Sequence, residues 1–116
     1  MPSAAPAVAA APRKSGLSPS RRRLLTLLQR LNFGRIEGLA VRGGEPVFDP
    51  QPRVVREVKF LCENGPRPET AMADFALKAQ VQDLFAHLEA VGEGVVESIE
   101  VKHGLPFKMT VEGVKA

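Results

Sequence analysis

Three consecutive arginines, Arg21, Arg22 and Arg23, stand where a helix should begin, and Arg30 and Arg35 follow with no acid between them. Guanidinium groups bind phosphates and carboxylates through planar, paired hydrogen bonds, so this run could neutralise a polyanion. The placement runs against the helix macrodipole, whose positive N-terminal end ordinarily favours Asp or Glu. That conflict amounts to only about a few tenths of a kcal/mol per charge at a wet surface. A solvated positive face, or an arm that neutralises the chain's own acidic body, therefore competes with the polyanion reading. The asymmetry extends beyond the triplet: residues 1–35 carry seven basic side chains and no acid, while residues 36–116 carry nine basic side chains and all thirteen acids.

The other chemically capable residues are more scattered. Arg56 in "RVVREVKF" alternates in step with Val54, Val58 and Phe60, so it reads as a strand-end arginine whose stem packs while its head reaches water. With Arg53 and Arg67 from flanking loops, it forms a secondary set of possible anion contacts. His87 and His103 are the only histidines, and neither sits in an H-x-x-x-H or H-E-x-x-H pattern. His103 precedes a glycine and reads as a turn residue, leaving an enzyme site near His103 and Arg56 as a minor third class. Cys62, the single cysteine, ends an apolar strand face and reads as an inert thiol. Carboxylates are plentiful but form no acid–base pair, and no glycine-rich phosphate loop appears. The reading is therefore non-enzymatic, with no catalytic residue, no metal site and no cofactor.

Elements must position these residues. Residues 1–17 are rich in Ala and Pro and are expected to form a disordered tail. A first helix should run from Pro19 to Leu31, with Ser18 as N-cap and Pro19 at the first helical position. Leu24, Leu25, Leu28 and Leu31 make its apolar face; Arg22, Arg23, Thr26, Gln29 and Arg30 lie opposite. Asn32 and Gly34 stop the helix. "RIEGLAVRGGEPVF" reads as a hairpin turning at Gly43–Gly44, with Arg42 and Glu45 opposed as an ion pair and Gly38 marking a bulge between Ile36 and Leu39. A third strand is expected over Arg53–Cys62, with Val54, Val58, Phe60 and Cys62 inward. A second helix should cover Thr70–Val91, its stripe running through Leu77, Val81, Leu84, Leu88 and Val91. Met72 and Phe75 fall off that stripe and mark a possible interface. Two closing strands would turn at "HGLP", with Ile99 and Val101, then Phe107, Met109 and Val111, facing inward. No internal repeat is evident.

The order α-β-β-β-α-β-β predicts an α+β two-layer sandwich: two helices on a mainly antiparallel five-stranded sheet, in one domain over 18–113 with a short tail at 114–116. Over residues 19–91 this order resembles the double-stranded-RNA-binding domain. Such domains grip phosphates with a basic cluster at the start of the second helix, where this chain reads "RPETAMADFALKAQ", with Glu69 and Asp74 against Lys78. The likeness is thus one of topology, and no family is assigned.

The lead expectation is a small binding domain that contacts nucleic acid or another polyanion through Arg21, Arg22, Arg23, Arg30 and Arg35. Four or five engaged phosphates would make log K fall against log salt with a slope of about −4. The alternative is a protein-interaction module or homodimer using Met72 and Phe75. Neither a secretory signal nor a membrane span is read from the sequence, and a lone thiol fits a reducing compartment, so cytoplasm is the expected location.

Overall fold

The structure is a computed structural model that describes residues 13–61 and 77–111. In chain order it contains α1 (Pro19–Leu31), β1 (Gly34–Arg42), β2 (Glu45–Val47), β3 (Arg53–Arg56), α2 (Ala79–Val91), β4 (Gly94–Lys102) and β5 (Leu105–Val111). A 3-10 turn, Lys14–Gly16, precedes α1 within the span expected to be a tail, and Lys14 is buried there. The helices cover an antiparallel sheet of order β2-β1-β4-β5, with β3 also paired to β1, giving the expected α+β two-layer arrangement.

The first helix follows its sequence signals closely. Ser18 caps it by accepting a hydrogen bond from the Arg21 amide, and Pro19 occupies the first turn. Leu24, Leu25, Leu28 and Leu31 are buried against Ile36, Leu39 and Val41 of β1 and Val96, Ile99 and Val101 of β4. Each such side chain removed from water contributes about 1.5–3 kcal/mol. Gln29, expected on the polar side, is buried instead.

The backbone does contain an internal repeat. Elements of the second half follow their counterparts by 60 residues: α2 follows α1, β4 follows β1, and β5 begins where β2's mate should. At that offset eight residues between Leu17 and Val47 are identical to their mates: Leu17/Leu77, Leu24/Leu84, Leu28/Leu88, Gly34/Gly94, Glu37/Glu97, Val41/Val101, Gly44/Gly104 and Pro46/Pro106. The remaining core mates exchange one apolar side chain for another, as in Leu25/Phe85, Ile36/Val96 and Leu39/Ile99, except that Val81 has Arg21 as its mate. The unusual backbone angles repeat too: φ is 61° at Asn32 and 69° at Gly92, 57° at Gly43 and 55° at His103, 75° at Gly44 and 72° at Gly104.

The two halves meet in a self-complementary seam. β1 and β4 pair antiparallel with Gly34 opposite Val101 and Val41 opposite Gly94, which is one pairing seen from either half. The hairpin turns close over the partner half's helix end in the same way. The Gly44 amide donates to the Gly92 carbonyl at 3.0 Å, and the Gly104 amide donates to the Asn32 carbonyl at 2.9 Å. A pseudo-two-fold axis therefore passes between Glu37–Gly38 and Glu97–Ser98, the isologous geometry of a symmetric dimer held within one chain. The Gly38 irregularity is reinterpreted accordingly. The β1–β4 register is unshifted across it, so both strands change phase together and no extra residue is inserted there.

The halves differ at the sheet edges. β5 runs along β4 as one strand with two register shifts, whereas the first half covers the same edge of β1 in two pieces, β2 and then β3. The loop between them, which holds a cis Asp49–Pro50 bond, adds three residues to the register. Gly34 accommodates β3: a Cβ there would lie 2.1 Å from the Val55 carbonyl oxygen.

Several expectations are corrected. The third strand ends at Arg56, because β1 begins at Gly34 and offers nothing further to pair with beyond the Glu57 amide donating to Phe33 O. Val54, Val58 and Phe60 are exposed and do not form a core face; Cys62 lies outside the described residues. The described part of the second helix begins at Ala79, with Leu77 and Lys78 non-helical. Thr70, Met72 and Phe75, with Arg67, lie outside the described residues. Phe107 is exposed because β5 shifts register against β4 between its pairings at Pro106 and Lys108. Arg42 and Glu45 are opposed in register as expected, but the Glu45 carboxylate is engaged elsewhere.

Candidate functional site

The arginine triplet divides by helix geometry, since successive residues point about 100° apart. Arg21 turns inward, over the protein's own body. Its Nη2 donates to Glu89 at 2.9 Å and to the Gly44 carbonyl at 3.3 Å, and its guanidinium lies 5.4 Å from the Phe85 ring centre. Its Nε sits 3.0 Å from Glu45 Oε2 without the alignment of a hydrogen bond, so that contact is Coulombic. Glu45 also accepts from Ser18 Oγ at 2.5 Å and Ser20 Oγ at 2.6 Å. Those two hydroxyl donors, with Arg21 adding a smaller part, hold its carboxyl below the ordinary glutamate range. Arg21 is thus a structural clamp tying α1 to the β1–β2 turn and to α2.

Arg22, Arg23 and Arg30 turn the other way and line one groove. Together with Pro19, Thr26 and Leu27 they form its helical wall. The β2–β3 connection forms the facing wall through Phe48, Gln51, Pro52 and Val54, enclosing about 460 Å³. The Arg23 guanidinium lies 4.4 Å from the Phe48 ring centre, a cation–π contact between two residues that line the groove. Arg22 Nη2 donates to the Leu17 carbonyl at 3.1 Å from an exposed position. Three cations on one wall and a partly apolar surface on the other can hold an anionic group whose non-ionic part is flat or greasy.

The remaining candidates do not join this groove. Arg35 donates from Nε to Glu37 at 2.6 Å, which raises the arginine's affinity for its proton and lowers the glutamate's. Arg53 lies 3.7 Å from the same carboxylate, and Arg56 is exposed at the end of β3. His103 is a turn residue packed edge-on to Phe33, with ring centres 4.8 Å apart. Among the described residues no group of three His, Cys, Asp or Glu side chains could hold a metal ion. Among the described residues no helix is long and apolar enough to cross a membrane.

The pseudo-two-fold axis provides an internal comparison. A second groove lies against α2 and partly overlaps the equivalent place, lined by Asp83, His87, Phe107, Lys108 and neighbours, and encloses about 250 Å³. Arg22, Arg23 and Arg30 have Gln82, Asp83 and Ala90 as mates, and past the β5 register shift Met109 takes the place of Phe48, both packed partly buried on the core. Sequence reasoning missed the facing wall, because Phe48, Gln51 and Pro52 reach the arginines only through the edge loop. The signal for the helical wall was present in the spacing Arg22, Thr26, Arg30, which places one side chain per turn on a single face. Searched against protein-family models, curated proteins and solved structures, the chain matches none of them.

Proposed function

We propose that the protein is a small non-enzymatic binding domain that engages a phosphate-bearing polyanion, nucleic acid being the reading favoured, through Arg22, Arg23 and Arg30 on α1. The observation carrying this is the contrast between mates. The α2 helix adopts the same 13-residue span and packing with Gln82, Asp83 and Ala90 at these positions, so the fold has no need of three arginines there. Their convergence on one groove is the second support. Arg21 and Arg35 leave the proposed set, because each already serves a carboxylate of the chain itself.

Three phosphate contacts, instead of four or five, lower the expected salt slope to about −2 for a single strand and about −3 for a duplex. A fluorescence-anisotropy titration of the full chain against labelled mixed-sequence DNA and RNA at several salt concentrations measures it. Absence of binding at low salt, or a slope near zero, would refute the reading.

A further inference from the structure

We infer that the groove is shaped for single-stranded nucleic acid, with a splayed base against the Arg23–Phe48 stack and the adjoining phosphates on Arg22 and Arg30; this rests on the polyanion reading above. The two walls differ in chemistry in the way a nucleotide does. The helical wall is cationic. The facing wall offers a half-buried aromatic ring, an apolar surface at Pro52 and at Val54, which is 43% exposed, and the exposed Gln51 amide. A planar guanidinium over an aromatic ring presents a flat, polarisable surface on which any base can stack. The Gln51 amide carries both a donor and an acceptor and can meet a base edge.

A purely ionic polymer leaves that facing wall idle. Inorganic polyphosphate has no flat face, and in an intact duplex the bases are stacked internally while the sugar–phosphate exterior would meet Phe48 and Val54. A single strand satisfies both walls at once. The span from Arg22 to Arg30 is about 12 Å at 1.5 Å per helical residue, enough to place cations on either side of one stacked base. The mate groove lacks this combination: Asp83 stands where Arg23 does and, past the β5 register shift, Met109 stands where Phe48 does, and its volume is about 250 Å³ against about 460 Å³.

The test uses the full chain and four labelled probes: a single-stranded 12-mer carrying 2-aminopurine, its duplex, long-chain inorganic polyphosphate and a poly-glutamate peptide. The chain contains neither Trp nor Tyr, so the 2-aminopurine signal is read without protein background. Binding of the single strand should raise 2-aminopurine emission as the base leaves its neighbours, and Phe48→Leu should weaken that binding about tenfold while leaving polyphosphate binding unchanged. Gln51→Ala, at an exposed position, provides a variant that does not disturb packing. Equal binding of polyphosphate and the single strand, without a change in emission, would overturn the stacking inference and leave the polyanion reading standing. Preference for duplex or for the acidic peptide would overturn it as well. Failure of every probe to bind at low salt would remove the underlying reading itself.

Discussion

The segments Leu17–Val47 and Leu77–Phe107 share a backbone and differ in surface. Both run helix, two-residue link, nine-residue strand, tight turn, and both place an apolar residue at every core position except one, where Val81 has Arg21 as its mate. Their outward positions have diverged in charge: Arg22, Arg23 and Arg30 on one helix against Gln82, Asp83 and Ala90 on the other. The comparison separates what this fold requires from what it merely carries. Core apolarity, the helix-ending Asn or Gly, and the positive-φ turn are required, because both halves keep them. The basic groove is carried by one half alone, as the binding role proposed for it would require.

The strongest check on this equivalence is in the core. Leu28 and Leu88 are mates and both are fully buried, so truncating either to Ala should cost about 2–5 kcal/mol, and by similar amounts. Chemical denaturation of the two variants measures this; a large cost at one and none at the other would break the proposed symmetry.

A smaller and deliberately unequal effect is expected at the strand starts. Gly34 and Gly94 have φ of 151° and 156°, which side chains rarely adopt, so Ala at either should cost about 1–3 kcal/mol. Gly34→Ala should be the worse of the two. Its Cβ meets the Val55 backbone, whereas at Gly94 the nearest atom is a Val91 methyl at 3.6 Å. Equal losses in urea would argue that β3 is not seated as described.

The smallest effect concerns a place where one half titrates and the other cannot. Glu45 is held ionised by Ser18, Ser20 and Arg21, while its mate is Leu105. Its folded carboxyl titrates below the unfolded value of about 4.3, so its contribution is present above that pH and is lost as pH falls through the folded value. Glu45→Leu should flatten the acid limb of a pH–stability profile below about pH 4.3 and leave the remainder of the curve parallel. An unchanged acid limb would mean that the serine hydroxyls do not hold the carboxylate.

Legibility from sequence followed the locality of the signal. α1 could be read to the residue, since Ser18, Pro19, the leucine spacing and Asn32 all act within a few positions. The Gly43–Gly44 turn was equally local. β3 was overextended because Val54, Val58 and Phe60 alternate like a buried strand, while the event that ends it, the start of β1 at Gly34, lies 22 residues earlier than Arg56. The repeat was hidden because four core mates exchange Leu, Ile, Val and Phe for one another, which preserves burial but not identity, and the four identical ones are widely spaced. The basic side of α1 was visible in the arginine spacing. Its partner wall was not, because Phe48 and Gln51 meet it only after the edge loop closes back on the helix.

The central claim is that three arginines serve binding and not folding, and the second half supplies the residues to test it. A variant bearing Arg22→Gln, Arg23→Asp and Arg30→Ala gives α1 the surface of its mate. The account expects this variant to unfold at a temperature within a few degrees of the parent, while its anisotropy-measured affinity for the single-stranded 12-mer at low salt falls at least about a hundredfold. Unchanged affinity, or loss of the cooperative unfolding transition, would contradict it.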